Sequence, residues 1–414
     1  MPDATVIDGR DRLTIHRSET DRRSHRGLSV SVFGAGPTGA LLALGLAQAG
    51  CRVVLHDPQD PESLVARSRA YAITHSSRRL LERLKLWDEV FSHLVPFDRL
   101  RLQDQGVRPV VWFSVDDLNA VNRHTDAIGW ILDHKPLMAL LLERLGQAPT
   151  VSLQLGGATG AALPASADDP PADLLVAADG PRSSHRQSWG LPFWSGRYRQ
   201  GCLTMKVLLR GGEASTAHEF FRAEGPFAVL PLGGMHYQVV WSAPLERCRE
   251  RAALAPAVLL DRLATVLPAG LIPDSLLDQP MAFPLELSLA PRLGRGRHLL
   301  VGEAGHRCHP VGGQGLNLCW RDVSDLLDLI QRHHAESGPI RRLVRRYNRR
   351  RLPDLVLIGL GTDALLRLFS NRWRPLLPLR ALALQLLRGI PLPRRLALQA
   401  MTDGPMTILR SAPE

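Results

Sequence analysis

Several signatures are missing from this chain, and each absence narrows what it can be. Its five cysteines (51, 202, 248, 308 and 319) are scattered, odd in number and free of any CxxC pair. That argues against a disulfide scaffold and against a zinc site, and it suits a reducing compartment. No segment reaches the ~18–20 uninterrupted apolar residues of a membrane span. Internal repeats are absent. The net charge is +11, carried mostly by arginine, yet no aromatic–basic interleaving and no nucleic-acid motif accompanies it, so nucleic acid is not expected as a partner. The densest basic run, 341–351, holds seven arginines. It reads either as a solvated helix face or as a contact for an anionic membrane surface.

The N-terminus excludes a further class. Arg22-Arg23 ahead of an apolar run resembles an export signal, but Gly34, Gly36, Pro37 and Gly39 interrupt that run. Asp3, Asp8, Asp11, Glu19 and Asp21 are unlike a transit peptide. Residues 1–27 are therefore expected to be a flexible leader. What remains is ample: 414 residues, 45% of them apolar, enough for two or three domains around full cores.

Three short segments carry the chemistry. The first is Gly34-Ala35-Gly36-Pro37-Thr38-Gly39, between an alternating strand at 28–33 and an apolar helix at 40–49. Gly34 allows a tight turn, Gly36 lets a pyrophosphate approach the backbone, and Gly39 lets helix and strand pack closely. The helix N-terminus offers free N–H groups to that phosphate. A second strand at 52–56 ends at Asp57, where an acid can accept from ribose hydroxyls. This favours FAD or NAD over NADP at the subsite. The second segment is Asp179-Gly180-Pro-Arg-Ser-Ser-His-Arg186, delivered by an apolar strand at 173–178. The third runs Gly302-Glu303-Ala-Gly-His306-Arg-Cys-His309-Pro310-Val-Gly-Gly313-Gln314-Gly315-Leu316-Asn317.

The rest of the chain reads coarsely. A helix is expected around 76–90, short mixed strands at 97–125, a helix at 132–145 and a strand at 151–155. Between about 191 and 290, alternating runs separated by Gly-Gly turns at 211–212 and 233–234 indicate an antiparallel sheet, with a helical interval near 251–267. A strand at 298–301 leads into the third segment, and helix dominates from 317 onward.

These motifs resemble those of the class A FAD-dependent aromatic hydroxylases, most closely the UbiH-type ubiquinone-biosynthesis hydroxylases, over roughly residues 28–405. Further matching stretches are Arg69-Ala-Tyr-Ala-Ile73, Gly225-Pro-Phe-Ala-Val-Leu-Pro231 and Thr362-Asp363 through Asn371. The resemblance implies an α/β fold: a Rossmann-type FAD-binding domain with an inserted antiparallel-sheet substrate domain and C-terminal helices. The expected division is a first FAD-binding part at 28–190 with a small insertion near 97–125, a substrate domain at 191–295, a return segment at 296–335 and a helical region at 336–414.

It also implies FAD as cofactor, NAD(P)H and O2 as co-substrates, and ring hydroxylation through a C4a-hydroperoxyflavin. The substrate would be a lipophilic prenylated phenol or quinol. The FAD contacts would come from the first motif, Asp57, Arg69, Asp179, Gly180, Arg186, Gly302, Glu303 and Pro310, and from Gly313 to Asn317. Arg186 is expected to serve NAD(P)H more than FAD, and His306 and His309 are weak acid/base candidates. Glu303 stands where many relatives have Asp, and the interval 151–173 is short for the family. Part of the small sheet over the adenine side is therefore expected to be missing, with FAD held more loosely. A cytoplasmic protein is expected, peripherally bound to the inner face of a membrane and with a place in a quinone-biosynthesis complex. The rivals are another flavin oxidoreductase on the same scaffold, a small-aromatic hydroxylase or an isoprenoid reductase, and a non-catalytic flavoprotein scaffold.

Overall fold

The computed structural model describes residues 27–157 and 172–410. The expected leader, save its last residue, and most of the interval expected to be short over the adenine side lie outside them. The chain opens with β1 (Ser29–Phe33), helix α1 (Pro37–Gln48) and β2 (Arg52–Asp57). Next come β3 (Ala70–Ile73), β4 (Leu94–Phe97), β5 (Arg99–Asp104), β6 (Val110–Ser114) and β7 (Gly129–Asp133). Helix α2 (His134–Gln147), β8 (Val151–Leu155) and β9 (Leu174–Ala177) complete the first part. The middle holds β10 (Trp194–Arg210), β11 (Thr216–Phe221), β12 (Phe227–Pro231), β13 (His236–Pro244), β14 (Ile272–Leu276) and β15 (Met281–Leu289). The chain returns through β16 (Gly294–Arg295), β17 (His298–Leu300) and β18 (His306–Arg307). It then runs as helices α3 (Gln314–Glu336), α4 (Ile340–Phe369), α5 (Leu377–Gly389) and α6 (Pro391–Asp403).

Three sheets result. The first has the order β16-β17-β9-β1-β2-β8, and every pairing from β17 to β8 is parallel. Parallel strands need covered faces. Helix α1 provides one cover and is buried from Gly39 to Leu46, and α3 packs beside it. The second sheet runs β18-β15-β10-β13-β12-β11-β5-β6, with β14 also on β10. Its strands alternate, so one face meets the helices at Leu245–Ala252 and Pro256–Ala264 and the other faces the cofactor half. A small antiparallel sheet, β3-β7-β4, joins the two.

Three expectations change. The stretch 97–125, expected as a small insertion within 28–190, packs with the other half. Its hairpin, β5 and β6, joins the second sheet, because β5 pairs in parallel with β11 from Arg99↔Thr216 to Asp104↔Phe221. The helix expected at 76–90 is two, His75–Arg83 and Trp87–Val90, parted where Lys85 takes a φ of 58°. The basic run 341–351 is an open charged face only in part: Arg341, Arg345 and Arg349 are exposed, but the other arginines meet acids. Arg342 and Arg346 pair with Glu336, Arg350 with Asp325 and Asp328, and Arg351 is buried among Asp322, Asp325 and Asp354.

Candidate active site

The glycine turn after β1 divides its labour as its spacing requires. A Cβ on Gly34 would lie 2.4 Å from the Ala178 carbonyl oxygen, and one on Gly39 would lie 1.8 Å from the Gly34 carbonyl oxygen. These two glycines let β1, β9 and α1 close on one another. Gly36 is different: nothing lies within 4 Å of where its Cβ would be. It is the N-cap of α1, with no side-chain cap and with Pro37 following. The first-turn N–H groups of Thr38 and Gly39 are thus left for a ligand. Asp57 holds this turn from β2, its Oδ2 accepting from the Ala35 N–H at 2.7 Å and its Oδ1 from the Gln59 N–H at 2.9 Å. Each oxygen keeps a second acceptor position for a ribose hydroxyl.

The second segment lies against the first, since Asp179 follows Ala178. Asp179 accepts from His185 Nδ1 at 2.9 Å through Oδ2, and its buried Oδ1 has no partner. Gly180 beside it faces open space. Arg186 is only 5% exposed. Its guanidinium donates to the carbonyls of Ala304 at 2.8 Å and Pro181 at 3.2 Å and sits 3.7 Å over the Phe193 ring. It joins the second segment to the third and presents no fork to open space.

The third segment is held from behind by a buried cluster around Asp322. His306 Nε2 lies 2.6 Å from Asp322 Oδ2. Asp322 also accepts from the Gly302 N–H at 2.8 Å and from Arg351 at 2.7 Å. Burial alone would raise this carboxyl, but His306, Arg351 and these hydrogen bonds hold it down at about 2. His306 is thereby a structural partner. His309 is fully buried; burial pushes it down to about 3, so it is neutral. Its Nδ1 accepts from the Val311 N–H, and its Nε2 has no partner.

Beyond it, Gly312 and Gly313 take φ of 67° and 64°, a left-handed pair that only glycine adopts freely. Gly313 is the N-cap of α3, again without a side-chain cap. Asn317 clips this loop in place. Its Oδ1 accepts from the Thr74 N–H, the Thr74 hydroxyl and the Ser77 hydroxyl, and its Nδ2 donates to the carbonyls of Ala72 and Gly313. Gln314 ties the loop to α6 through the Met401 carbonyl.

One cavity opens in front of this loop. Arg69, Glu303, Pro310, Gly313, Gln314, Gly315 and Leu316 line it, as does His309. The first motif, Asp57, Asp179, Gly180, Arg186, Gly302, His306 and Asn317 do not. The first and third segments nonetheless touch behind it: a Cβ on Gly302 would lie 3.0 Å from Thr38, and Trp320 of α3 donates to the Pro37 carbonyl.

The opposite wall is the second sheet, and it holds two residues that the sequence reading missed. Glu219 and Gln238 line the cavity, and burial pushes the Glu219 carboxyl up to about 8. The available signal was an acid at an inward-facing place between Ala217 and Phe221, both buried. Two uncapped helix starts, an open Gly36 and a cavity beside Gly315, where nothing lies within 4 Å of a Cβ, together fit an extended dinucleotide carrying a flat ring.

Known proteins agree with this geometry. A model described as an FAD binding domain matches residues 27–127 and 161–355. The ubiquinone hydroxylase UbiL of Rhodospirillum rubrum is 31% identical, over 86% of this chain and 85% of its own. The 3-demethoxyubiquinol 3-hydroxylase of Escherichia coli is 30% identical, over 86% and 93%. Among solved structures, p-nitrophenol 4-monooxygenase of Pseudomonas putida superposes with a TM-score of 0.75 at 19% identity, over 92% and 98% of the two chains. Matched over more than half its length, the chain belongs to the FAD-binding-domain family and is an FAD-dependent aromatic-ring monooxygenase.

Proposed function

We propose that this protein hydroxylates the ring of a polyprenylated phenol or quinol during synthesis of a ubiquinone-type quinone, with NAD(P)H and O2 as co-substrates. FAD, when bound, would supply the redox chemistry that couples NAD(P)H oxidation to oxygen transfer from O2 to the ring. The observation that carries the reading is one cavity with the uncapped start of α3 on one wall and a mostly apolar sheet on the other. The N–H groups of Gly315 and Leu316 would meet the flavin edge where negative charge collects on reduction. Gly36 and the start of α1 would hold the pyrophosphate, and Glu303 a ribityl hydroxyl. Ala228, Leu230, Val240 and Phe283 would exclude water around the substrate ring.

The lipophilic substrate class rests on the curated relatives and on the roof of the cavity. Helix α6 turns Leu398, Met401 and Thr402 inward while exposing Leu392 and Leu396. Helix α5 exposes Leu379, Leu382 and Leu386, and Trp373 stands out just before it. Arg372, Arg374, Arg388 and Arg395 are exposed on the same stretch. Leucine and arginine together suit an anionic membrane surface. Among the described residues no helix is long and apolar enough to cross a membrane, so the contact would be peripheral.

The test uses the FAD-loaded protein with 2-farnesylphenol, a short-tailed prenylphenol, in mixed micelles. NAD(P)H oxidation should be stimulated, and the product should carry one added ring oxygen. Stimulation by p-nitrophenol alone would replace this reading with a small-aromatic hydroxylase. Tight FAD with no stimulation by either would leave a non-catalytic flavoprotein.

A further inference from the structure

Strand β11 turns Ala217, Glu219 and Phe221 to one side and His218 and Phe220 to the other. Glu219 stands in a row across four strands: it faces Ala228 of β12, which faces Val240 of β13, which faces Thr204 of β10. All four line the cavity. Gln238, two residues from Val240, shares that face. Its Nε2 donates to the carbonyls of Met205 and Val239, which leaves a buried Oε1 without a partner. Glu219 is 9% exposed and has no hydrogen bond or ion pair among the described residues. Strand β12 lies between β11 and β13 and adjacent strands are ~4.8 Å apart, so Glu219 and Gln238 stand at separate places on the cavity wall. Buried polar groups are rarely left unmatched, because each one costs about 1–3 kcal/mol. Two of them facing one apolar cavity indicate a ligand with polar substituents on its ring.

We infer that Glu219 is a further catalytic residue, whose carboxyl receives the ring hydroxyl of the phenol and takes its proton as the ring is oxygenated. This rests on the hydroxylase reading above. The phenol O–H bond breaks, the proton passes to a Glu219 oxygen, and the bonding pair stays on the phenolate oxygen. That pair enriches the ring carbons ortho and para to it, which are the positions an electrophilic oxygen attacks. The proton leaves Glu219 for water as product departs.

The surroundings leave Glu219 free for this role. Arg101 lies opposite His218 in β5, on the outer face, over the Phe220 ring. Arg69, Glu303, Arg307 and His309 line other walls of the cavity, and α6 adds only Leu398, Met401 and Thr402. From β10, the buried Cys202 thiol feels the Glu219 charge. Burial alone moves the carboxyl. A base poised near the working pH is the effective one, and kcat/KM should rise with pH through about 8.

The experiment compares FAD-loaded wild type with Glu219→Gln and Glu219→Asp. Each is titrated anaerobically with 2-farnesylphenol, with its O-methyl ether and with 4-methylphenol, a small phenol that also ionises only at about pH 10; binding is read by flavin difference absorbance, and turnover is then followed in air as a function of pH. Wild type should favour the phenol over its ether, and its hydroxylation rate should rise as pH passes through about 8. Glu219→Gln should keep its FAD, bind both alike and lose that rise with pH. Its hydroxylation should fall about 100-fold while NAD(P)H oxidation continues and releases hydrogen peroxide. Glu219→Asp should recover part of both signals. A Glu219→Gln protein that hydroxylates its phenol like wild type, with the same pH profile, overturns the inference. If wild type refuses 2-farnesylphenol but takes 4-methylphenol, the prenylphenol reading fails, and the 4-methylphenol rates of Glu219→Gln still decide the role of Glu219. If wild type binds neither phenol, both fall.

Discussion

Gly36→Val would put a branched side chain into the open space before α1 without striking any protein atom, since nothing lies within 4 Å of that Cβ. Purified protein should be colourless yet folded, with a Tm close to that of wild-type apoprotein. Gly39→Val, with 1.8 Å to the Gly34 carbonyl, should instead fail to fold. Yellow, stoichiometric FAD in Gly36→Val would remove the pyrophosphate from this turn. Arg186 leads to a different expectation. Its donors go to the carbonyls of Ala304 and Pro181, so Arg186→Met strands buried acceptors at a cost of about 1–3 kcal/mol. Tm should fall by several degrees, with the KM for NAD(P)H unchanged in the FAD-loaded fraction. A raised KM at unchanged Tm would return Arg186 to the nicotinamide site. The glycine roles were legible in the sequence because they follow from local geometry. The direction of the Arg186 fork was not, because the carbonyl that receives it belongs to Ala304. Glu219 went unseen for the same reason: a strand pattern tells inside from outside, not cavity from core.

Helices α3 and α4 are joined to the loop at 302–309 by one buried charge cluster. Asp322 of α3 holds Arg351 of α4, His306 and the Gly302 N–H together, and Arg351 also meets Asp325 and Asp354. The Asp322 carboxyl sits at about 2 when folded and near ~3.9 when unfolded. Its contribution is therefore complete above about pH 4 and is lost as pH falls toward 2. Asp322→Asn breaks a buried pair, at roughly 3–5 kcal/mol. Thermal melts should show a large Tm loss at pH 7 that narrows below about pH 4; a loss that stays constant over that range would mean the carboxylate charge is not what binds these elements. Element types were mostly legible, because hydrophobic periods of 2 and 3.6 are local. The arginine pairings at 342–351 were not, because their acids sit on α3, across a helix–helix contact.

The whole molecule sets a cofactor half against a sheet wall, and the pairing of β5 with β11 closes that wall with strands from far apart in the chain. No local pattern announces such a pairing, which is why the 97–125 stretch read as an insertion. The same closure puts α6 over the cavity and leaves its outer face apolar. The membrane prediction thereby moves from the arginine run to the leucines. Each basic residue near an anionic leaflet contributes about 1 kcal/mol and is screened by salt. A leucine fully withdrawn from water contributes about 1.5–3 kcal/mol, which salt does not remove. Leu379, Leu382 and Leu392 are 51%, 50% and 64% exposed, so together they should contribute about as much as the exposed arginines nearby. Wild type should co-sediment with anionic vesicles at low salt and keep much of that binding at high salt. Leu379→Ser, Leu382→Ser and Leu392→Ser combined should leave only the salt-sensitive part, with FAD content intact. Arg345→Gln with Arg349→Gln should change little. Arg346 and Arg350 are poor probes, since their ion pairs with Glu336 and Asp325 would be lost as well. If wild type stays in the supernatant at low salt, this face does not meet lipid, and a prenylated substrate would have to reach α6 from a carrier protein.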